Sequence, residues 1–320
     1  MCQDMNFEIS FSEICQQWKK EKQKQVKRTS MAAYEVSVNR YLKQWFSSIS
    51  DINDENVQAF IETKIKDGLS VKSIKDILVV LKMIARFSES KGCELNWNYK
   101  ISVPGKPSPH EVAVLSIDQQ KKLMEYLWKN LSFKNLGILL CMSTGLRIGE
   151  ICGLKWEDID FETSALSVNK TVYRIYNADD DTHKTELLII PPKTIHSTRS
   201  IPIPAPLQMI MQSIGDNINK EYYIISNSTV PLEPRTYRYY FKTILKLLEL
   251  PYIKFHCLRH SFATRCIESS CDYKTVSAIL GHANITTTLN LYVHPSTEQK
   301  RKCIENMLAS LSAANFMKIQ

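Results

Sequence analysis

Hydrophobic residues in the first hundred positions recur at intervals of three and four, the spacing that places them on one face of a helix. Ser10 and Glu13 have the spacing of a capping box, so we expect a helix to begin there. Ser70 precedes a longer apolar stripe that ends near Gly92. Residues 1–100 are therefore predicted to form an all-helical bundle of about four helices. Apolar stripes indicate the three helices that follow the one at Ser10: Tyr34, Val38, Tyr41, Leu42 and Trp45; Val57, Phe60, Ile61 and Ile65; and Val71, Ile74, Leu78, Leu81 and Ala85.

The helical pattern stops over residues 101–113, where proline and glycine break helices and stiffen an extended chain. These residues are Pro104, Gly105, Pro107 and Pro109. A chain of 320 residues is longer than a usual single domain, so we expect a linker here. Residues 114–320 would then form the second domain.

The second domain has a mixed pattern. Ser116 and Gln119 offer another capping box, and helical spacing continues through Leu140. Segments rich in β-forming residues and separated by polar turns then predict a small antiparallel sheet. They are Leu166–Ile175, Glu186–Ile190 and Thr198–Ile203. From Pro206 the pattern is again mostly helical. The predicted fold is two domains, an all-α amino-terminal bundle and a mixed α+β domain that is mostly helical.

Composition and net charge limit the classes of partner that the protein is expected to bind. The formal net charge of +8 favours a polyanion such as DNA, RNA or an anionic membrane surface. The longest apolar run, Leu136–Met142, is too short to span a bilayer, so no membrane association is expected. Nine scattered cysteines and no cationic, apolar leader favour free thiols in a cytoplasmic protein.

Candidate chemistry is concentrated in four short segments of the second half. In Thr144–Glu150, Gly145 can end one helix, while Arg147 and Glu150 can face the same side of the next. An arginine and a glutamate at this spacing are also typical of an ordinary ion pair on a helix surface.

The second segment, His256–His260, aligns His256 with Arg259 on one helical turn and leaves His260 beside them. Histidines with hydrogen-bond partners and no catalytic role are the alternative interpretation. No cysteine or carboxylate stands at the spacing of zinc ligands, so no metal site is expected.

The remaining segments are Pro192–Thr194, with Lys193 in the turn between two predicted strands, and Leu280–His282, followed ten positions later by Tyr292. In this order the four segments resemble the tyrosine recombinase family, also called the phage integrase family. The resemblance extends from about Ser10 to Lys302. It implies a helical core-binding domain of SAM-like fold, a linker and a mixed catalytic domain. The chain begins almost directly with the core-binding helices, so the arm-binding domain of some members is not expected.

The resemblance implies that Arg147 and Arg259 are the two catalytic arginines and that Lys193 is the lysine of the β-hairpin. Attack on a phosphodiester concentrates negative charge on its non-bridging oxygens, and guanidiniums suit that charge because they stay protonated and offer paired donors. Glu150, the acidic residue after the first arginine, would hold Arg147 in place. Lys193 could protonate the leaving deoxyribose oxygen.

The resemblance also implies that Tyr292 is the nucleophile. A tyrosine has an ordinary pKa of about 10, so it must lose a proton during attack. His256, the histidine of the family's HxxR motif, is the expected proton acceptor, with His260 in a supporting position. His282 matches a position filled by histidine or tryptophan and is an expected hydrogen-bond donor to the phosphate. A 3′-phosphotyrosine would keep the phosphoester bond energy, so no ATP and no other cofactor is expected.

The implied partners are double-stranded DNA recombination sites, a tetramer of protomers on two sites, and accessory DNA-bending or directionality proteins. An apolar stripe near the carboxyl terminus is expected to dock on a neighbouring protomer, the alternative being that it completes its own core. Its residues are Ile304, Met307, Leu308 and Leu311. Four cations are expected to contact DNA phosphates: Lys72, Lys75, Arg199 and Arg235. We derive no role for the acidic turn Asn177–Asp181.

Two rival functions remain open on the sequence alone. A type IB topoisomerase uses the same tyrosine chemistry but rejoins the original strand. A catalytically silent DNA-binding protein could carry the same fold, although the intact set of six catalytic positions argues against it.

Overall fold

The structure is a computed structural model. It describes residues 10–100, 102–104, 113–177, 184–191, 198–215, 218–282, 284–292, 301 and 304–309, except for the side chains of residues 290–292. Two compact units divide the chain: Met1–His110 with Arg174–Leu187, and Glu111–Tyr173 with Leu188–Gln320. Lys193, Leu311 and positions 178–181 of the acidic turn lie outside the described residues.

Helices make up the described part of the chain before residue 100. Apolar side chains from all of them meet in one core, in which Phe11, Leu42, Phe60 and Leu81 are at most 1% exposed. The helices are α1 (Phe11–Lys22), α2 (Arg28–Ser37), a π-helix (Val38–Leu42), α3 (Asp54–Lys66) and α4 (Val71–Ser90). The apolar stripe from Tyr34 to Trp45 is therefore split at Ser37, where the helical hydrogen bonding widens to a π-helix.

Polar residues begin the helices at the predicted positions, with one difference in partner. The Ser116 hydroxyl accepts from the Gln119 amide at 3.2 Å and the Gln119 side chain accepts from the Ser116 amide at 2.9 Å, which confirms that capping box. Ser10 caps α1 through the amide of Ser12 at 3.2 Å, so the predicted exchange with Glu13 is wrong. Ser70 caps α4 through Ser73.

The second unit is mostly helical. Its helices are α5 (Ile117–Lys129), α6 (Phe133–Thr144), α7 (Ile148–Gly153), a 3₁₀ turn (Trp156–Asp158), α8 (Ala205–Gly215), α9 (Pro234–Leu247), α10 (His256–Glu268), α11 (Tyr273–Leu280) and α12 (Ile285–Tyr292). Residues 304–309 are also helical. No helix among the described residues is long and apolar enough to cross a membrane.

Short strands form two small sheets instead of the single sheet predicted. The strands are β1 (Ile159–Asp160), β2 (Ala165–Val168), β3 (Thr171–Tyr176), β4 (Thr185–Ile190) and β5 (Arg199–Pro202). One sheet has the antiparallel order β1-β2-β5, with Leu166 opposite both Ile159 and Ile201, and the other pairs β3 with β4. The segment Leu166–Ile175 is thus two strands.

A buried carboxylate accounts for this break. Between β2 and β3, the Asn169 amide and the Lys170 ammonium both donate to Asp158 Oδ1 at 2.8 Å. Asp158 is only 7% exposed, so these bonds compensate the loss of its hydration and turn the chain out of the first sheet.

Helix α6 is the centre of the second unit. It is apolar on all sides, and its residues Leu136, Ile138, Leu139 and Leu140 are fully buried, as expected for a core helix. It packs against α5, α7 and α10. Farther along the chain, Ala263 of α10 and Val276 and Leu280 of α11 form a small hydrophobic cluster of their own.

We expect Gly137→Ala to destabilise the second unit. A Cβ at Gly137 would clash with the Tyr237 hydroxyl and lie 2.5 Å from Ile225 Cγ2, and Tyr237 is held by a 2.6 Å hydrogen bond to the Lys134 carbonyl. Overpacking of this kind costs about 1 to 3 kcal/mol, which exceeds the gain of roughly 1 kcal/mol or less in helix propensity. Chemical denaturation followed by circular dichroism measures the loss.

Gly153→Ala is the matched control. A Cβ there meets its nearest atoms, Lys170 O and Val172 Cγ2, at an ordinary 3.5 Å. Its free energy of unfolding should stay within about 0.5 kcal/mol of the unsubstituted protein. Equal effects of the two substitutions would contradict the packing argument.

Candidate active site

The junction between α6 and α7 places the first candidate arginine. Gly145 ends α6 in the left-handed conformation, with φ of 67°, and its amide bonds to the Cys141 carbonyl at 2.9 Å. The chain then extends, so that Arg147 is the residue before α7 and not part of the helix. Its side chain is 35% exposed and thus accessible to a ligand.

Glu150 holds Arg147 as predicted, through both backbone and side chain. One carboxylate oxygen accepts from the Arg147 amide and the other from the Arg147 guanidinium, each at 2.9 Å. The carboxylate is 3% exposed, and burial alone would raise its pKa. Hydrogen bonding and charge from Arg199, and then charge from Arg147, outweigh burial and lower the Glu150 pKa below its ordinary value. Glu150 is therefore ionised at neutral pH.

Arg199 is the second guanidinium on Glu150. From β5 it donates to both oxygens of Glu150, at 3.1 and 2.9 Å, and to the Ile279 carbonyl at 2.6 Å. Its side chain is 7% exposed. The structure therefore corrects the expectation that Arg199 contacts DNA phosphate, because its donors point to these internal acceptors.

Arg259 is the largest fully buried side chain in the described residues, at 1% exposure. From α10 it donates to the Gly145 carbonyl at 2.8 Å and to the Leu280 carbonyl at 2.7 Å. These carbonyls lie at the carboxyl ends of α6 and α11, where helix dipoles favour a cation. Two helix ends thus stabilise a guanidinium in the protein interior.

His256 begins α10 beside Arg259 and keeps an exposed edge. Its ring lies edge-on to the ring of His260, with centroids 4.5 Å apart. Partial burial, followed by the neighbouring His260, Arg259 and Arg147, lowers the His256 pKa to about 4. Burial and then Arg259 lower the His260 pKa as well. His256 is thus a neutral ring at neutral pH, able to accept a proton.

His282 follows the left-handed Gly281, which ends α11 with φ of 63°. The Gly281 carbonyl accepts from Arg147 at 3.4 Å, and His282 Nδ1 lies 2.7 Å from the Thr288 hydroxyl. Burial, then the charges of Arg259, Arg147 and Arg199, lower the His282 pKa to about 4. This ring too is neutral at neutral pH.

The fold therefore brings six of the predicted residues together in the second unit. They are Arg147, Glu150, His256, Arg259, His260 and His282. Tyr292 is the last residue of α12, and nothing is described of its side chain. Lys193 lies outside the described residues. The predicted phosphate contacts Lys72 and Lys75 are exposed on α4, and Arg235 is exposed on α9 with its guanidinium 5.9 Å from the centre of the Tyr239 ring.

The cluster is suited to an anion. Two guanidiniums, those of Arg147 and Arg199, bond to the Glu150 carboxylate, and the guanidinium of Arg259 bonds to backbone carbonyls nearby. The lowered pKa values keep His256 and His282 uncharged. A cavity of about 510 Å³ opens beside His282 and is lined by Thr198, Arg199, Lys274, Ser277 and Ile285 among others. No group of three or more histidine, cysteine or carboxylate side chains among the described residues could hold a metal ion. Positioned cations in a partly desolvated pocket stabilise negative charge strongly, as phosphoryl transfer requires.

The sequence did not predict the positions that three residues, Arg199, Thr288 and Tyr173, occupy in this site. The pattern around Arg199 contains no sign that it lies behind Glu150, and Thr288 is one of several threonines in its segment. Tyr173 on β3 is also close, since burial and the charge of Glu150 raise its pKa while Arg147 lowers it. The packing of separate elements determines each of these positions: β5 against α7 for Arg199, α12 against the end of α11 for Thr288, and β3 beside Glu150 for Tyr173.

Known proteins resemble both the sequence and the fold. Residues 113–299, more than half of the chain, match the phage integrase family. The tyrosine recombinase XerC-like protein of Caldanaerobacter subterraneus subsp. tengcongensis is 30% identical over 306 residues, covering 88% of this chain and 78% of that protein. The Tn1549 transposon integrase in complex with a circular intermediate DNA has a TM-score of 0.73 at 22% identity, with 92% and 99% coverage. A lambda integrase tetramer bound to a Holliday junction has a TM-score of 0.65 at 18% identity, with 90% and 78% coverage.

These two solved structures have the same overall fold, which is mostly helical with small antiparallel sheets. The family match spans all six clustered residues, from Arg147 to His282. The chain therefore belongs to the phage integrase family, the tyrosine recombinases.

Proposed function

We propose that the cluster around Arg147 and Arg259 binds one DNA phosphodiester and that Tyr292 attacks it, as the first step of site-specific recombination. The products are a 3′-phosphotyrosine and a free 5′-hydroxyl. The observation that carries this proposal is that Arg147 and Arg199 share the buried Glu150 carboxylate, while Arg259 and Arg147 act on the neutral rings of His256 and His282. Strand exchange follows when the 5′-hydroxyl of a partner strand attacks the phosphotyrosine.

The two arginines have different tasks in this scheme. Arg147 is half-buried and fixed by Glu150, so it can reach the phosphate without losing its orientation. Arg259 is buried and fixed by two carbonyl oxygens, so it supplies a positive potential from the interior side of the cluster. Arg199 acts through Glu150 and does not contact the phosphate. Such preorganised charge lowers the barrier because no reorganisation is needed when charge develops.

Proton transfer completes the scheme. His256, neutral at physiological pH, takes the phenolic proton of Tyr292 during attack. His282 donates a hydrogen bond to a non-bridging oxygen, and Lys193 protonates the leaving 5′ oxygen. The phosphotyrosine conserves the phosphoester bond, so the reverse attack needs no ATP and no cofactor.

Covalent trapping tests the proposal directly. In a nicked suicide substrate carrying the natural site, the short fragment between the scissile phosphate and the nick leaves with the free 5′-hydroxyl after attack. The protein should therefore remain attached to DNA through its 3′-phosphotyrosine and migrate as a complex resistant to denaturation. Tyr292→Phe lacks the nucleophilic oxygen and should form none, while binding the same DNA in a native gel. Absence of trapping by the unsubstituted protein would favour a silent DNA-binding protein.

Two differently marked sites extend this test to strand exchange. Products that join the two marks require recombination, whereas a type IB topoisomerase restores each parental strand.

The low pKa of His256 predicts the pH dependence of cleavage. Only the neutral ring accepts a proton, and a pKa of about 4 keeps it neutral far below the ordinary histidine value. With enzyme below saturation, the second-order rate of covalent complex formation should stay level from pH 8 down to about pH 5 and fall at lower pH.

His256→Gln provides the comparison, with an expected loss on the order of a hundredfold at neutral pH. DNA binding measured at each pH separates loss of cleavage from loss of affinity. An acid midpoint at or above about 6.5 would contradict the assignment.

We further propose that residues 1–100 form the DNA-binding core domain and that 101–113 link it to the catalytic domain. Lys72 and Lys75, exposed on α4, and Arg235, exposed on α9, are proposed to contact DNA phosphates. The stacked Tyr239 ring is 56% exposed and favours a stable orientation of the Arg235 guanidinium. The DNA complexes of the Tn1549 and lambda integrases support a double-stranded DNA partner.

Four protomers are proposed to assemble on two DNA sites in the cytoplasm, as the lambda integrase tetramer on a Holliday junction suggests. The carboxyl-terminal helical segment would join neighbours, because its apolar residues are largely exposed: Ile304 at 56%, Met307 at 49% and Leu308 at 54%. Accessory DNA-bending or directionality proteins would act on this assembly.

Removal of the residues after Lys302 should abolish synaptic complexes, because it removes the apolar side chains that dock on a neighbouring protomer. The monomer should remain folded, because these side chains are largely exposed in it. Native gels with two labelled sites measure the complexes, and circular dichroism measures the fold. Leu308→Glu should reproduce the defect and Glu305→Gln, on the same helix, should not. Unchanged synapsis in the truncated protein would refute the docking role.

A further inference from the structure

A threonine outside the proposed catalytic set contacts it directly. Thr288 lies on α12 between His282 and Tyr292, and it is fully buried. Its hydroxyl lies 2.7 Å from His282 Nδ1, the distance of a strong hydrogen bond. Among the residues that the structure describes, no other hydrogen bond of this hydroxyl is seen.

We propose that Thr288 is a positioning residue that holds His282 in the tautomer protonated at Nε2 and couples this state to the seating of the helix that carries Tyr292. The inference rests on the proposed function, because it assigns the Nε2 hydrogen to the DNA phosphate.

The chemistry of the ring supports one direction of the hydrogen bond. A neutral imidazole has one N–H, and a hydroxyl can either donate or accept. Thr288 occupies Nδ1, which leaves Nε2 for a ligand. The charges of Arg259, Arg147 and Arg199 act on His282, so the expected ligand is an anion. An anion is attracted by Nε2–H and repelled by a lone pair on Nε2, and Nδ1 must then accept from Thr288.

The position of Thr288 supports the coupling. It precedes Tyr292 by four residues, about one turn of the same helix. Helix α12 packs against α11, which ends just before His282, and against α10, which carries His256 and Arg259. When α12 is seated, the hydroxyl reaches the ring. When α12 is displaced, Nδ1 loses this donor and the tautomer is no longer selected.

The ring nitrogens of His282 report the tautomer without any reaction. In protein labelled with ¹⁵N-histidine, long-range proton–nitrogen spectra distinguish a protonated from an unprotonated ring nitrogen, and His282→Gln identifies the signals among the seven histidines. Near pH 7 the unsubstituted protein should show Nε2 protonated and Nδ1 unprotonated. Thr288→Ser keeps the hydroxyl and should preserve this pattern. Thr288→Val keeps the shape without the hydroxyl and should give a mixture or protonation at Nδ1.

Single-turnover cleavage of the suicide substrate links the tautomer to the reaction. Thr288→Val should slow formation of the covalent complex by on the order of tenfold to a hundredfold, as loss of other orienting partners does, and Thr288→Ser should recover most of the rate. Thr288→Ala replaces the valine variant if that protein does not fold, as judged by circular dichroism.

The outcomes separate the two proposals. If the unsubstituted protein traps DNA but the His282 spectrum is the same with and without the hydroxyl, the positioning role of Thr288 is wrong and the proposed function stands. A serine variant as slow as the valine variant would also overturn the role. If no variant, including the unsubstituted protein, traps DNA, the proposed function fails, and with it the phosphate contact of His282.

Discussion

Buried guanidiniums held by the carboxyl ends of helices are the interaction on which the site depends. Arg259 is in the interior because the left-handed residues Gly145 and Gly281 end α6 and α11 beside it, where the last carbonyl oxygens need donors. These backbone dipoles compensate part of the cost of burying the cation without adding a full negative charge, so its positive potential remains available to a ligand.

Glu150 has the complementary function. It is a buried carboxylate that accepts bonds from the amide and guanidinium of Arg147 and from Arg199, so its oxygens are well satisfied. Glu150 thus connects α7 to β5, and it fixes the accessible Arg147 from the buried side of the cluster. Because the described contacts include more guanidiniums than carboxylates, the cluster remains cationic. Burial first, and then this positive charge, lower the pKa of both His256 and His282.

Local signals could be predicted from the sequence, and contacts between distant segments could not. The cap at Ser116 and the helix end at Gly145 depend on a few neighbouring residues. By contrast, the sequence pattern predicts one β segment where the structure has β2 and β3. The hydrogen bonds from Asn169 and Lys170 to Asp158 that separate the two strands have no local sequence signature. The expectation that Arg199 contacts DNA phosphate fails for the same reason, since only the fold brings β5 to Glu150. The catalytic roles of Lys193 and Tyr292 stay predictions that rest on the family resemblance.

The small hydrophobic cluster of Ala263, Val276 and Leu280 has a thermodynamic consequence. Helices α11 and α12 bury little apolar surface of their own compared with α6, so their local opening requires less free energy than global unfolding. These two helices can therefore open locally without unfolding of the rest of the second unit. Such opening removes the Leu280 carbonyl from Arg259 and the Ile279 carbonyl from Arg199, so the order of the arginines depends on the least stable part of the unit.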